Sequence, residues 1–322
     1  MVIDDFAMKL LSKTVEHLSC FKRNKGWHRI RPCFDHNFRC FCAVHSNQFF
    51  LTCKSNKEFV MDLGISGKNA VVLASSKGLG RAIAEELASE GANVLLVGRS
   101  SEVLENVAAG INTKAAGKAD YVTADLSDPD SAEVIEKAAM DKLGHIDILV
   151  NNTGGPPPGK MSDADVMGLA PHFNTMVMRV MDITARLVPH MKAQGWGRVL
   201  TVASSGVEQP IPNLGLSNTL RAALVGWSKS MSNELAGDGL TFNMLLPGRI
   251  ATDRTKQLDE ANSKKSGLPV EQVTKNSIAA IPAGRYGDPK EFGSVAAFLC
   301  SDKASYITGS MIRCDGGSIK SV

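Results

Sequence analysis

The sequence has no uninterrupted apolar run approaching the ~18 residues of a membrane-crossing helix, which excludes a membrane span. Its first residues, Met1-Val2-Ile3-Asp4-Asp5, are acidic and lack the basic-then-apolar order of a secretory leader. A cytoplasmic protein with no membrane partner is expected. Charge of one sign is also missing from most of the chain. From residue 61 onward 26 Lys and Arg face 28 Asp and Glu, so nucleic acid is not an expected partner. Tyrosine is scarce, with only Tyr121, Tyr286 and Tyr306 in the chain. Cysteine is scarce beyond residue 61, because five of the seven (Cys20, Cys33, Cys40, Cys42 and Cys53) precede it. What is present is 322 residues with 43% hydrophobic content, ample for the core of one α/β domain.

Residues 1–60 differ from the rest, with 10 Lys and Arg against 5 Asp and Glu. They also hold His17, His28, His36 and His45. Cysteine and neutral histidine are zinc ligands. However, Cys40-Phe41-Cys42 is tighter than the usual knuckle, and no second pair stands at a partner spacing. No metal is expected, and a reducing compartment disfavours disulfides. The segment shows no sustained helical or strand periodicity. Residues 1–60 are therefore expected to be an extension, disordered or outside the functional fold, as translation from an upstream start would give. The functional domain is expected to span 61–322.

That domain is organised around Ala70 to Leu87. Val71-Val72-Leu73 is a short apolar run, read as a buried strand. The turn Ala74-Ser75-Ser76-Lys77-Gly78-Leu79-Gly80 follows, and Arg81 to Leu87 has helical spacing. Such a turn lets backbone N–H groups approach a pyrophosphate, and the helix N-terminus adds partial positive charge. A tight strand-to-helix connection uses the same residues without any ligand. Val94-Leu95-Leu96-Val97 supplies the second strand and completes a unit of about 30 residues, the context a dinucleotide site requires. Gly98-Arg99-Ser100 ends that strand without the acid that would favour NAD. Arg99, Ser100 and Lys77 suit a 2′-phosphate instead, so NADP(H) is expected over NAD(H).

This pattern resembles the short-chain dehydrogenase/reductase family, most closely its 3-oxoacyl-acyl carrier protein reductases. Leu73 and Ala74 stand where the family has Thr and its first Gly. Alanine at a position of positive φ costs on the order of 1 kcal/mol. Asp125-Leu126, after the third strand (Tyr121 to Ala124), match the family's adenine contact, though Asp125 also reads as a helix N-cap. Asn151-Asn152-Thr153-Gly154 is similar to the family's N-N-A-G, in which Asn ties neighbouring strands and Gly leaves room for cofactor. Pro156-Pro157-Pro158 stiffens the next loop. A helix is expected from Asp163 to Gln194, with Phe173, Met176, Val177, Val180, Thr184, Leu187 and Met191 on its core face. Pro247-Gly248-Arg249-Ile250-Ala251-Thr252 is similar to the family's nicotinamide segment, which implies carboxamide contacts from Ile250 and Thr252. The polar stretch Asp253 to Ser277 is expected to form a mobile helical lid, with Arg249 and Arg254 at its root as receivers for an anionic substrate.

The resemblance covers residues 64–318. It implies a doubly wound parallel α/β sheet (Rossmann fold) in one domain, assembled as a homo-oligomer, a tetramer. In the family a Ser follows the fifth strand, a Tyr lies thirteen residues on and a Lys four further. Counting from Ser204 reaches Ser217 and Arg221, so the proton-transferring pair is altered. Met176 stands near the family's supporting Asn. A serine hydroxyl is a far poorer acid than a phenol, and arginine stays charged but relays no proton. Three functional classes follow. The first is an NADP(H)-dependent oxidoreductase reducing a ketone or 3-oxoacyl carbonyl of a small-molecule or acyl-thioester substrate. The second is a dinucleotide-binding protein without hydride transfer. The third is a non-redox lyase or dehalogenase-like enzyme.

Overall fold

The computed structural model describes residues 61–322 together with the backbone of 38–45 and 48–55. The chain forms two compact units, Met1–Met61 and Asp62–Val322. In the first, β1 (Phe38–His45) and β2 (Gln48–Ser55) pair antiparallel, with Phe38 opposite Ser55 and His45 opposite Gln48. The sequence of residues 1–60 shows no sustained strand periodicity, and the first of these strands shows why. In FRCFCAVH apolar residues occupy both period-two registers, so the alternation that marks a half-buried strand is missing from the sequence. The zinc question turns on the Cys and His side chains of residues 1–60 and lies outside the described residues.

The second unit is built on seven parallel strands. These are β3 (Asn69–Val72), β4 (Asn93–Gly98), β5 (Ala119–Thr123), β6 (Ile148–Asn151), β7 (Gly197–Val202), β8 (Leu240–Pro247) and β9 (Met311–Cys314). Their order across the sheet is β5-β4-β3-β6-β7-β8-β9. The order reverses between β3 and β6, and in open α/β sheets the carboxyl ends of strands at such a reversal frame a ligand crevice. The expected doubly wound sheet is present.

Alternate residues of each strand feed opposite layers. Ala70, Val72, Val94 and Leu96 pack against Ile83 and Leu87 of α1 (Gly78–Ser89), Leu104 of α2 (Ser101–Lys114) and Phe292 of the helix Pro289–Leu299. Val71, Leu95 and Leu149 pack on the other side against Ile135 of α3 (Ser131–Leu143) and Leu187 of the helix Arg179–Gln194. Each of these large side chains is fully buried, which stabilises the fold by ~2 kcal/mol apiece. A third cluster, with Met176, Val177, Leu220, Leu224 and Leu246, closes the sheet near the carboxyl ends of β7 and β8.

The single helix expected over 163–194 is broken up. A short helix, α4 (Leu169–Phe173), runs through a wide π-type turn over Asn174–Met178 into α5 (Arg179–Gln194). Wider turns of this kind shift the helical register and recur at functional sites. Beyond β7 comes α6 (Gly215–Leu235). The polar stretch after β8 is two helices, α7 (Asp253–Ser266) and α8 (Val270–Ala279), separated at Gly267 and Pro269. The helix Pro289–Leu299 is α9. It opens on a reciprocal capping pair of Asp288 and Glu291.

Candidate active site

The turn between β3 and α1 is held from three sides. The Ser75 hydroxyl accepts from the Val97 N–H at 2.9 Å and is fully enclosed, so this predicted cofactor residue spends its side chain on tying the turn to β4. Asn152 Nδ2 donates to the carbonyls of Leu73 and Ala74, both at 3.3 Å, which fixes the end of β6 to the same turn. Ala74 adopts φ +48°, the left-handed conformation that the missing glycine implied. Gly78 has φ +59°. A Cβ on Gly80 would stand 2.5 Å from the Ala74 carbonyl oxygen, so only glycine lets α1 begin this close to the strand. Ser76 and Leu79 are half-buried and Lys77 is exposed at the start of α1. Bare backbone at Gly78 and Gly80 with a helix N-terminus behind it fits the phosphates of a dinucleotide.

At the end of β4, Arg99 and Ser100 are exposed. Ser100 also caps α2, its hydroxyl accepting from the Val103 N–H at 3.5 Å. Arg99 lines a cleft of about 240 Å³ with Thr123, Ala124, Asp125, Asp128, Ser131 and Val134. Asp125 accepts from the N–H and hydroxyl of Ser127 at 3.0 and 2.8 Å. Those bonds, and then the Arg99 charge, hold its carboxyl below the ordinary aspartate range. The N-cap position of α3 belongs to Asp130, so the reading of Asp125 as a helix cap is corrected to a local turn. The Leu126 carbonyl accepts from Arg179 Nε at 3.4 Å.

On the other side of the switch point, Gly154 is exposed, and a Cβ there would meet open space. Asn151 reaches sideways to the Thr184 hydroxyl on α5 at 3.0 Å. Pro247 and Gly248 end β8, where a Cβ on Gly248 would strike the Asp315 backbone at 2.6 Å. The Ile250 carbonyl accepts from the Thr252 N–H at 2.8 Å and from the Thr255 hydroxyl, which fixes this segment in a tight turn. Thr252 closes the circle, since its methyl lies 3.9 Å from where a Cβ on Gly78 would sit. The first and last cofactor motifs of the sequence therefore meet across one crevice.

Ser204 follows β7, and its hydroxyl oxygen accepts from the Gly206 N–H at 3.0 Å, leaving its own proton to donate outward. Ser217 and Arg221 lie one turn apart on α6, both buried. Arg221 donates from Nη1 to the Val202 carbonyl at 2.9 Å and from Nη2 to the Thr153 carbonyl at 3.4 Å, bridging the ends of β7 and β6. Burial, and then the charge of Arg254, lower its pKa to about 10. Asn218, which sequence reasoning passed over, latches the loop after Ser204 to α6. It donates to the Ile211 carbonyl at 3.0 Å and accepts from the Ile211 N–H at 3.3 Å. Its only sequence signal was its place beside Ser217. Met176 sits among apolar side chains within the π-type turn, and Asn174, two residues before it and exposed, opens that turn.

The lid root departs from expectation at Arg249. Its Nη1 donates to Asp259 at 2.7 Å, and Asp259 also accepts from the Tyr286 hydroxyl at 2.7 Å and the Thr274 hydroxyl at 3.2 Å. Arg249 is therefore neutralised by a carboxylate and is not a receiver for an anion. Arg254 has no such partner among the described residues and donates to the Pro156 carbonyl at 3.1 Å. No group of three or more metal-ligating side chains is present among the described residues.

The family model described as enoyl-(acyl carrier protein) reductase matches residues 73–318, from the phosphate turn to the closing segment. The chain belongs to the short-chain dehydrogenase/reductase family. It is 32% identical over 259 residues to the NADPH-dependent reductase BacG of Bacillus subtilis, covering 80% of this chain and all of that protein. It is 34% identical over 259 residues to the 3-oxoacyl-[acyl-carrier-protein] reductase FabG of Aquifex aeolicus, covering 80% and 99% respectively. The L-sorbose reductase of Gluconobacter frateurii, solved with NADPH and L-sorbose, is similar with a TM-score of 0.77 and 32% identity over 81% of this chain and all of that one.

Proposed function

We propose that residues 61–322 form an NADP(H)-dependent oxidoreductase that reduces a carbonyl to an alcohol, with residues 1–60 as an extension outside that unit. The observation that carries this reading is the end of β4, where exposed Arg99 faces the cleft, exposed Lys77 belongs to the neighbouring turn and Gly98-Arg99-Ser100 contains no acid, the carboxylates of the cleft (Asp125 and Asp128) following β5 instead. A carboxylate there would bind the ribose 2′-hydroxyl of NAD, whereas a guanidinium fork accepts a 2′-phosphate. The NADPH named for BacG and for the sorbose reductase complex supports the same choice. Ser76, Gly78, Leu79 and Gly80 would hold the pyrophosphate, with the buried Ser75 bracing the turn behind them and Ser100, Asp125 and Leu126 at the adenosine end. Asn152, Gly154, Pro247, Gly248, Ile250 and Thr252 would frame the nicotinamide.

NADPH bound in this crevice supplies the hydride. The chain's own residues handle the oxygen. Ser204, whose oxygen is already engaged by Gly206, donates a hydrogen bond to the carbonyl oxygen and fixes its orientation without giving up its proton. Arg221 stays charged below pH ~10 and stabilises the negative charge that develops there. It does not deliver a proton. Ser217 passes one from water, replacing a phenol with a weaker acid. The expected reaction is correspondingly slow when the substrate brings no acidic group of its own.

The substrate is a small molecule or an acyl thioester, and the protein is cytoplasmic. Among the described residues no helix is long and apolar enough to cross a membrane. Assembly as a homotetramer is supported by Tyr306, fully exposed, and Met311, 40% exposed, beside the edge strand β9. The deciding experiment is NADPH oxidation across a carbonyl panel, run with Ser204→Ala and Ser217→Tyr. Loss in the first variant and gain in the second are expected. Stoichiometric NADPH binding with no consumption across the panel would replace this reading with a binding role.

A further inference from the structure

Two guanidinium groups flank the loop after β6, and neither has a carboxylate partner among the described residues. Arg221 is buried and bonds only to the backbone carbonyls of Val202 and Thr153. Arg254, the second residue of α7, bonds to the Pro156 carbonyl, and a Cβ on Gly155 would lie 3.2 Å from its Nη2. The two cations therefore hang on carbonyls three residues apart. They are close enough that the charge on Arg254 opposes the charge on Arg221. The ion pairs of the described residues include neither. The third arginine of this corner, Arg249, is spent on Asp259 at 2.7 Å.

A buried cation compensated only by carbonyl dipoles remains costly, and a like charge beside it raises the cost. An anion entering between the two forks removes both penalties and gains charge-assisted hydrogen bonds. The cofactor's own phosphates are accounted for elsewhere, at the Gly78–Gly80 turn and at Lys77 and Arg99. Arg221 lies one helical turn from Ser217, and its anchor Val202 is two residues before Ser204. Whatever anion it grips therefore sits beside the reacting carbonyl rather than at the far end of a long acyl chain.

We infer that the substrate is a short oxo acid whose carboxylate is held by Arg254 and Arg221 next to the carbonyl that is reduced. This rests on the reductase reading above. The step balances without another reagent. A hydride forms a C–H bond at the carbonyl carbon as the C=O π pair moves to oxygen, and a solvent proton, passed by Ser217, completes the hydroxyl. The oxo acid becomes a hydroxy acid while NADPH becomes NADP⁺.

The test uses the full chain and a matched pair, 2-oxobutanoate and its methyl ester, which share the carbonyl and differ in charge. The wild type should show kcat/KM at least ~10-fold higher for the acid, the range one charge-assisted hydrogen bond supplies. Arg254→Gln should bring the acid-to-ester ratio close to one, and Arg254→Lys should restore part of it. The Kd for NADPH should stay within twofold in both variants. Equal kcat/KM for acid and ester in the wild type, or an unchanged ratio in Arg254→Gln, overturns the inference. So does a selective loss of NADPH affinity, which would give the pair to the cofactor. Butyrate, which cannot be reduced, separates this inference from the reading beneath it. Arg254-dependent butyrate binding by calorimetry with no NADPH oxidation on either probe sinks the reductase reading and keeps the anion grip. Ester reduction without butyrate binding sinks the grip alone. Inorganic phosphate binding more tightly than butyrate overturns the choice of carboxylate.

Discussion

Ala74 carries a cost that a single atom change removes. A left-handed alanine is strained by ~1–2 kcal/mol, and glycine returns part of this as unfolded-state entropy. Ala74→Gly should therefore stabilise the domain by ~0.5–1 kcal/mol in urea denaturation, without loss of NADPH affinity. Gly80→Ala should do the reverse. With the Ala74 carbonyl 2.5 Å from the new methyl, the turn must open, and NADPH binding should fall at least ~10-fold by calorimetry. Burial pushes the Cys300 thiol up to about 12, so in the native protein at pH 8 it should resist iodoacetamide, as peptide mass mapping would show. At this scale the phosphate turn was legible from the chain alone, because the demands on Ala74, Gly78 and Gly80 come from their immediate neighbours. The fate of Arg249 was not. Its partner Asp259 lies on the next helix, and nothing in the sequence distinguishes that carboxylate from the exposed acids around it.

Among the elements, the strands read at Val71–Leu73, Val94–Val97 and Tyr121–Ala124 fall within two residues of β3, β4 and β5, since buried parallel strands appear as short unbroken apolar runs. The region before α5 was misread for a physical reason. The apolar stripe through Met176, Val177 and Val180 continues across the π-type turn, so hydrophobic spacing alone carries one helix back through Leu169. The β1–β2 hairpin goes unmarked in the sequence because β1 carries apolar residues in both period-two registers. The capping pair at α9 offers a titration test. Glu291 accepts both guanidinium nitrogens of Arg285, at 2.7 and 2.6 Å, and the Asp288 N–H at 2.8 Å. The Arg285 bond first, then the backbone bond, lower its pKa to about 2. A depressed carboxyl contributes stability above its unfolded pKa of ~4.3 and loses it as pH falls toward 2. Arg285→Ala should raise the Glu291 midpoint measured by NMR and flatten that part of the acid-unfolding curve, by a modest amount because the pair is exposed.

For the molecule as a whole, residues 61–322 expressed alone are expected to bind NADPH with the affinity of the full chain. A loss of more than ~10-fold would give residues 1–60 a part in the site. Light scattering should report a tetramer, and an aspartate at Tyr306 should shift it toward smaller species. The fold was legible because its motifs are spread along the chain in the order the sheet requires. The reaction was less so, since a serine and an arginine at the two altered positions suit more than one chemistry. The lid adds a mechanical consequence. Asp259 of α7 is nearly enclosed and fastens α8 through Thr274, while Arg249 and Tyr286 hold it from the side of the sheet. Swinging the two helices outward would part that carboxylate from Arg249, Tyr286 and Thr274 together. If a product leaves by that movement, Asp259→Asn should raise its release rate in stopped-flow measurements, more than any change in the floor of the crevice.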